Sequence, residues 1–448
     1  MYTEYVSGGV WKKTGNERIR SCFCAAFLHA CRTSCVLLAA YFMLSSNALA
    51  EDLNLQHLID EALKNNHEIL ITESRVAASE YRIPQVKSLP DPTLMFGYQN
   101  EGWKKYTYGE SIMAWWMFSA SQTFPFPGKL STKGEMAARE TEGLKASYEG
   151  VRLKTIEKVK ELYYDLLYTH KTIDLINELA ALFTRVEDAA IARYSSGKGM
   201  QQEVLMAQTE KYMLLEKEQM LKQRIQSLEA MLNSTVGRDV DAPLGRPVEI
   251  RDTELEASLN ELLTLHVEHS PFVKEKERMV ASAQARVKMA ELDYYPDFTV
   301  NAGYFTRGAE LDPMWSITTT INIPIFYKTK QRQAVNEAKA LLSEAEHELY
   351  STKTMLSSTI RDNYSMAQTA GKLMELYKHG LIPKTYQDFE SALSGYGTGR
   401  VDEITVITRL KALLDLEISY WGQFAEREKA IARLRSVTGI WESVQKEQ

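Results

Sequence analysis

The feature that most limits what this chain can fold into is that most of it occurs twice. Ser88-Leu89-Pro90-Asp91-Pro92, followed by Phe96-Gly97-Tyr98, returns as Asp293-Tyr294-Tyr295-Pro296-Asp297, followed by Ala302-Gly303-Tyr304, at an offset of 206. Phe124-Pro125-Phe126 returns as Ile323-Pro324-Ile325 at 199. Tyr194-x-x-Gly197-Lys198 and Val236-Gly237 return as Tyr396-x-x-Gly399-Arg400 and Thr438-Gly439, both at 202. Offsets that drift by so few residues mark a duplication with small insertions and deletions. The expected division is a leader over 1–50, a first repeat over 51–240, a linker over 241–254, a second repeat over 255–440 and a tail over 441–448. Pro243, Gly245 and Pro247 fall in the linker.

Each repeat has the same internal order. Helical segments come first, at 53–64 and 68–88 and again at 254–268 and 271–294, closed by the Pro-Asp landmark, because proline cannot continue a helix. Two strands follow, about 93–101 and 112–124 in the first repeat and about 298–307 and 314–324 in the second. Ser316 to Ile323 alternates polar and apolar residues, as a strand does with one face in lipid or core and the other in water. The rest of each repeat reads as a long helical hairpin, about 129–236 and 328–438. No proline occurs from 128 to 242. Val159, Tyr163, Leu166, Ile173, Ala180 and Phe183 keep a three-four spacing, as do Leu221, Ile225, Leu228 and Leu232, so helices packed side by side are expected. Lys129 to Tyr194 would make a helix about 99 Å long, broken at each Tyr-x-x-Gly into an antiparallel pair.

Residues 1–50 have the order of a secretory signal peptide: Lys12, Lys13, Arg18, Arg20 and Arg32, then an apolar run from Val36 to Leu44, then Asn47-Ala48-Leu49-Ala50 with cleavage expected before Glu51. Cys22, Cys24, Cys31 and Cys35 are the only cysteines of the chain. All four precede the apolar run, where a lipid-attachment cysteine would follow it, so no lipid anchor is expected. A secreted chain without thiols must take its stability from packing or assembly. The formal net charge of −6 leaves no basic excess to neutralise phosphates, which argues against nucleic acid as a partner. A mean hydropathy of −0.31 is too polar for a helical membrane protein and leaves a transmembrane β-barrel open.

Four strands per chain cannot close a barrel, and an open edge cannot sit in lipid. Three chains would supply twelve strands, and the same operation would gather their hairpins into a tube. The leader, the duplication, the Pro-Asp step before strands and the Tyr-x-x-Gly tips together resemble the TolC family of outer-membrane efflux proteins over nearly all of 53–440. The resemblance implies a mainly α chain with a transmembrane β-barrel. A homotrimer would form a 12-stranded barrel in outer-membrane lipid of a Gram-negative bacterium, continuous with a periplasmic α-helical barrel. It further implies a periplasmic adaptor (membrane-fusion) protein and an inner-membrane RND transporter as partners. Phe124-Pro125-Phe126-Pro127-Gly128-Lys129-Leu130 and Leu381-Ile382-Pro383 are similar to the heavy-metal branch, of copper/silver or cobalt–zinc–cadmium type, so heavy-metal cations are the expected cargo. Drug-efflux and type I protein-secretion channels of the same fold are the alternatives. A periplasmic adaptor or scaffold carries a single hairpin, and two equivalent hairpins speak against it.

By the same resemblance the periplasmic gate lies at the hairpin tips. Tyr194 and Tyr396 match tip tyrosines, and Glu203 keeps the acid expected just beyond the first tip. In the second repeat the matching positions hold Thr405 and Thr408, a departure from the pattern, with Asp402 and Glu403 as nearby acids. Acids repeated around a narrow pore would concentrate cations; the plainer reading is that they complement a helix N-terminus. Gly197 and Gly399 supply the backbone freedom for the turn, and Lys198 and Arg400 are exposed candidates for docking the adaptor. Trp103, Tyr106, Tyr108, Trp115, Trp116 and Phe118 fit the aromatic girdle of a barrel.

No catalytic residue, metal ligand or cofactor is expected. Met206, Met213 and Met220 stand seven apart, about 10 Å per step along a helix, which suits a packing seam better than one soft ion. His266 and His269 have no third ligand nearby in sequence, and His170 lies on an apolar stripe. There is no P-loop, G-x-S-x-G or H-E-x-x-H string. The chain is therefore not expected to be an enzyme, and a partner must supply the energy for export.

Overall fold

A computed structural model describes residues 52–248, 253, 255 and 257–439. The expected leader and tail, and part of the linker, lie outside the described residues. Leu53 and Leu244–Arg246 belong to one compact unit, while 54–243 and the chain from 247 on make up the other, which holds both repeats.

Two short helices open the first repeat. Asn54 caps α1 (Leu55–Asn65) by accepting from the Gln56 and His57 amides, and Asn66 caps α2 (His67–Lys87) by accepting from the Glu68 and Ile69 amides. Pro84 stands inside α2, which ends three residues before Pro90. The landmark thus begins the extended segment instead of terminating the helix. In the second repeat α5 (Leu259–His269) and α6 (Pro271–Leu292) repeat the pair, and α6 likewise ends before Pro296.

The strands are β1 (Thr93–Gln99), β2 (Trp115–Phe124), β3 (Phe298–Thr306) and β4 (Met314–Ile321), antiparallel in the order β1-β2-β3-β4. They are shorter than the sequence pattern predicts, and Asn100 shows why at the first turn. Its side chain accepts from the Thr107 amide at 2.8 Å and donates to the Lys105 carbonyl at 2.8 Å, folding the loop onto itself. Register sorts the side chains into two faces. Leu94, Phe96, Phe118, Tyr304, Trp315 and Ile317 share one, while Ser119, Ser121, Asn301, Ser316, Thr318 and Thr320 share the other. An apolar face opposite a hydroxyl-rich one is what a wall between lipid and water requires. At the loop end of the apolar face Tyr98 stacks on Tyr106 at 5.1 Å and meets Trp116 at 4.9 Å.

The first hairpin is α3 (Lys129–Ser195), 67 residues or about 100 Å, and α4 (Gln201–Val236). The second starts at Gln331, three residues later than the sequence predicts, and its outgoing arm is in pieces: α7 (Gln331–Leu376), a π turn (Tyr377–Leu381) and α8 (Ile382–Gly397). Pro383 lacks an N–H and its ring crowds the preceding turn. One widened turn absorbs the misfit, with the Ile382 amide donating to the Tyr377 carbonyl five residues back. The return helix is α9 (Glu403–Thr438). Among the described residues no helix is long and apolar enough to cross a membrane.

Two devices hold the hairpins together. Towards the tips Phe183, Val186 and Ala190 of α3 pack with Phe389 and Tyr396 of α8 and Val406 and Leu410 of α9 in one buried cluster. Farther from the tips the α3–α9 seam is polar: Lys429 meets Asp165 at 2.8 Å, Arg433 meets Glu161 at 2.7 Å, and the Tyr164 hydroxyl donates to the buried Glu428 at 3.2 Å.

Where sheet passes into helix, the Phe-Pro-Phe-Pro-Gly-Lys string clasps the second repeat. Phe126 stacks on Tyr295 at 4.4 Å and its amide donates to Asp297 at 2.8 Å. Gly128 takes a φ of 101° over Leu292, a conformation that favours glycine. It thereby turns the buried Lys129 so that its ammonium reaches Asp297 at 2.9 Å, the Tyr295 carbonyl at 3.0 Å and Asp293 at 3.4 Å.

Candidate functional site

The two hairpin tips lie against each other, and each is closed by the same backbone device. The Lys198 amide donates to the Arg193 carbonyl at 2.9 Å in the first tip, and the Arg400 amide to the Gly395 carbonyl at 2.9 Å in the second. Gly197 and Gly399 supply the positive φ angles, 72° and 78°, as a Schellman-type helix end demands. Lys198 and Arg400 extend outward on the exposed turns. The repeat equivalence is kept in the backbone and broken in the side chains. Position 193 is arginine in the first tip, and its equivalent in the second is Gly395, over which Val401 closes.

That arginine ties the tips together. Its guanidinium donates to the Tyr396 carbonyl at 2.8 Å and to the Lys198 carbonyl at 3.1 Å, and lies 4.7 Å from the centre of the Tyr396 ring. The Tyr396 hydroxyl, fully buried, donates to Glu203 Oε2 at 2.7 Å, and Arg193 Nε lies 3.7 Å from the same oxygen. Burial, and then the bond to Glu203, push the Tyr396 hydroxyl far above the ordinary phenol range, so it stays a donor. Tyr194, its counterpart, is half exposed on the outer side. The two tip tyrosines therefore differ in kind: one is a strut between hairpins and the other a surface residue.

The acids divide in the same way. Asp402 is exposed and caps α9 by accepting from the Thr405 amide at 3.1 Å; hydrogen bonding from Thr405 holds its carboxyl below the usual carboxylate range. Glu403, one residue on, points into the protomer with 2% of its surface exposed. Neither of its oxygens has a well-formed hydrogen bond, and the Ala207 backbone offsets its burial only in part. Burial first, and the neighbouring Glu203 second, push its carboxyl up to about 7. Glu203 and Asp402 thus remain partly or fully open to solvent, while Glu403 does not.

Arg193 is the residue the sequence reading missed. Its only signal was the mismatch with Gly395 in an otherwise repeated turn. Elsewhere the candidates separate cleanly. His266 is buried, with Nδ1 2.6 Å from the Leu263 carbonyl and Nε2 3.1 Å from the Ser357 hydroxyl, whereas His269 is exposed. Met206 packs on the tip core, and Met213 and Met220 lie on the protomer surface. Among the described residues no group of three or more histidines, cysteines or acids is placed to hold a metal ion.

Comparison with known proteins bears on what such an arrangement does. The sequence pattern of the family described as Outer membrane efflux protein matches twice, over 58–238 and 262–439. The cobalt-zinc-cadmium resistance protein CzcC of Cupriavidus metallidurans is 22% identical over 404 residues, 87% of this chain and 91% of that one. Among solved structures, CusC superposes with a TM-score of 0.75 at 15% identity, covering 87% of this chain and 92% of CusC. The outer membrane protein VceC of Vibrio cholerae superposes with a TM-score of 0.73 at 16% identity, covering 86% and 96%.

Proposed function

The chain belongs to the outer membrane efflux protein family, and on that footing we propose that three copies form the exit duct of a three-part pump for heavy-metal cations. The fold is TolC-like, with two repeated halves, a four-stranded sheet and long helical hairpins. The protein is an outer-membrane efflux channel with a periplasmic helical part, and not an enzyme. The observation that carries the duct reading is the sheet. Four strands with one apolar face and two unpaired edges are a third of a wall, and backbone edges cannot be left open in lipid. A periplasmic adaptor would engage the exposed Gly197-Lys198 and Gly399-Arg400 turns, and an inner-membrane RND transporter would supply the energy. Metal as cargo is supported by the name of the Cupriavidus relative and its nearly full-length match.

At the tips the reading is a gate. Arg193, Tyr396 and Glu203 hold the two hairpins of one protomer together, and Asp402, with the exposed part of Glu203, offers negative charge to incoming cations. Tyr396→Phe removes one hydrogen bond without changing ring packing. The expected result is a several-fold rise in single-channel conductance in planar bilayers, with helix content unchanged. Unaltered conductance would remove Tyr396 from the gate.

Cargo is tested by a deletion strain grown on graded copper, silver, zinc, cobalt and cadmium beside a panel of hydrophobic drugs. Sensitivity confined to metals, and reversed by the intact gene, is expected. Drug sensitivity with normal metal tolerance would overturn the metal reading and leave the duct.

A further inference from the structure

The clasp at Lys129 joins the return strand of the first repeat to the landmark of the second. Because the chain is a duplication, the same two surfaces exist once more and are left unmatched in a single copy. Register fixes the correspondence. Thr93 pairs with Ser121 and Thr299 pairs with Thr320, so β2 and β4 correspond at an offset of 199 and β1 and β3 at 206. Carried two to seven residues past the strand ends, this makes Ile325 the equivalent of Phe126 and Lys328 the equivalent of Lys129. Leu89 and Asp91 are likewise the equivalents of Tyr295 and Asp297.

Within the protomer these four residues have no such partners. Ile325, Lys328, Leu89 and Asp91 are all exposed. Among the described residues neither the Lys328 ammonium nor the Asp91 carboxylate takes part in an ion pair, whereas Lys129 and Asp297 are both engaged. Ile323 and Phe326 flank Ile325 and are exposed as well, an apolar turn with nothing over it at the end of an edge strand. In the first repeat the matching turn is covered because β2 lies beside β3. The surface that would cover the second turn is the segment before β1, and β1 and β4 are the two free edges of the sheet.

We propose that a second copy of the chain completes this joint. Lys328 of one copy seats on Asp91 of the next, with Ile325 packed on Leu89, reproducing between chains the clasp that Lys129 and Asp297 make within one. The Ile325 amide closes on the Ile323 carbonyl at 2.9 Å, so the ion pair and the apolar contact carry this second clasp without the amide bond that Phe126 supplies. Around a ring each chain then contributes one internal clasp and half of two external ones, and the external ones set which sheet edges meet and in what register. This rests on the ring assembly proposed above.

The test uses the full-length protein in detergent, following dissociation of the assembled form on heating. Asp91→Lys and Lys328→Asp should each lower the dissociation temperature by several degrees, and the two together should restore most of the loss. Both sites are exposed, and helix content by circular dichroism checks that each variant folds. Single variants that dissociate at the wild-type temperature, or a double variant no better than the worse single, would overturn the clasp while leaving the ring intact. A wild-type protein that is monomeric from the outset would overturn the ring and the clasp with it.

Discussion

Lys129→Met is expected to destabilise the folded chain by about 2–4 kcal/mol, at or just below the roughly 3–5 kcal/mol lost when one partner of a fully buried ion pair is removed. The substitution keeps the hydrocarbon stem and deletes the ammonium. Asp297 and Asp293, both held by that one cation, are then left facing each other, and the Tyr295 carbonyl loses its donor. The two carboxylates are partly open to water, which keeps the loss at the modest end. Because the clasp joins the first repeat to the second where sheet becomes helix, the damage should appear in both halves. Urea unfolding followed by circular dichroism measures it. The control is Arg82→Met, which breaks an exposed pair with Glu140 and should cost under about 0.5 kcal/mol. Equal losses from the two variants would show that Lys129 is an ordinary surface charge.

Glu403 should make the tips more stable in acid than in base. Its folded-state carboxyl is pushed up to about 7 from an ordinary value of 4.5, so the folded chain holds a proton that the unfolded chain has released. That contribution is fully present below about 4.5 and is lost as pH rises through 7. The size is about 3 kcal/mol. Lys160 acts in a separate window: burial first, and Arg435 second, push it down to about 7, so its contribution rises with pH between there and the ordinary lysine range. Burial also raises the Glu157, Glu229 and Glu417 carboxyls. Glu403→Gln should therefore make the fall in stability between pH 5 and 7 shallower without abolishing it, leave the slope above 7, and stabilise the protein at pH 8. Thermal unfolding at intervals of one pH unit reads all three. A variant profile that falls between 5 and 7 as steeply as the wild type would remove Glu403 from this window.

Much of the fold was legible because the duplication offered the same pattern twice. A period of two over Ser316 to Ile323 and a proline-free, three-four run from 129 are local consequences of which residues alternate, and strands and helices formed where those patterns lie. The tip turns were legible for the same reason, since Gly197 and Gly399 carry φ angles that a side chain disfavours. What was misjudged was set by groups acting across the chain or across a turn. The strands stop early because Asn100 folds its loop inward, and the second arm is broken because Pro383 needs a widened turn.

The repeat, the element order, the sheet's two-faced chemistry and the location of the tips follow from residue type and spacing along one stretch of chain. The part each tip residue plays follows instead from long-range packing. Tyr194 and Tyr396 are equivalent in sequence, yet one faces solvent and the other is buried against Glu203. Asp402 and Glu403 are neighbours, yet one caps a helix in water and the other is enclosed. Burial and pairing depend on what α3, α4, α8 and α9 bring together from residues some two hundred apart, and Arg193, standing where its repeat has glycine, bonds to the backbone of both tips.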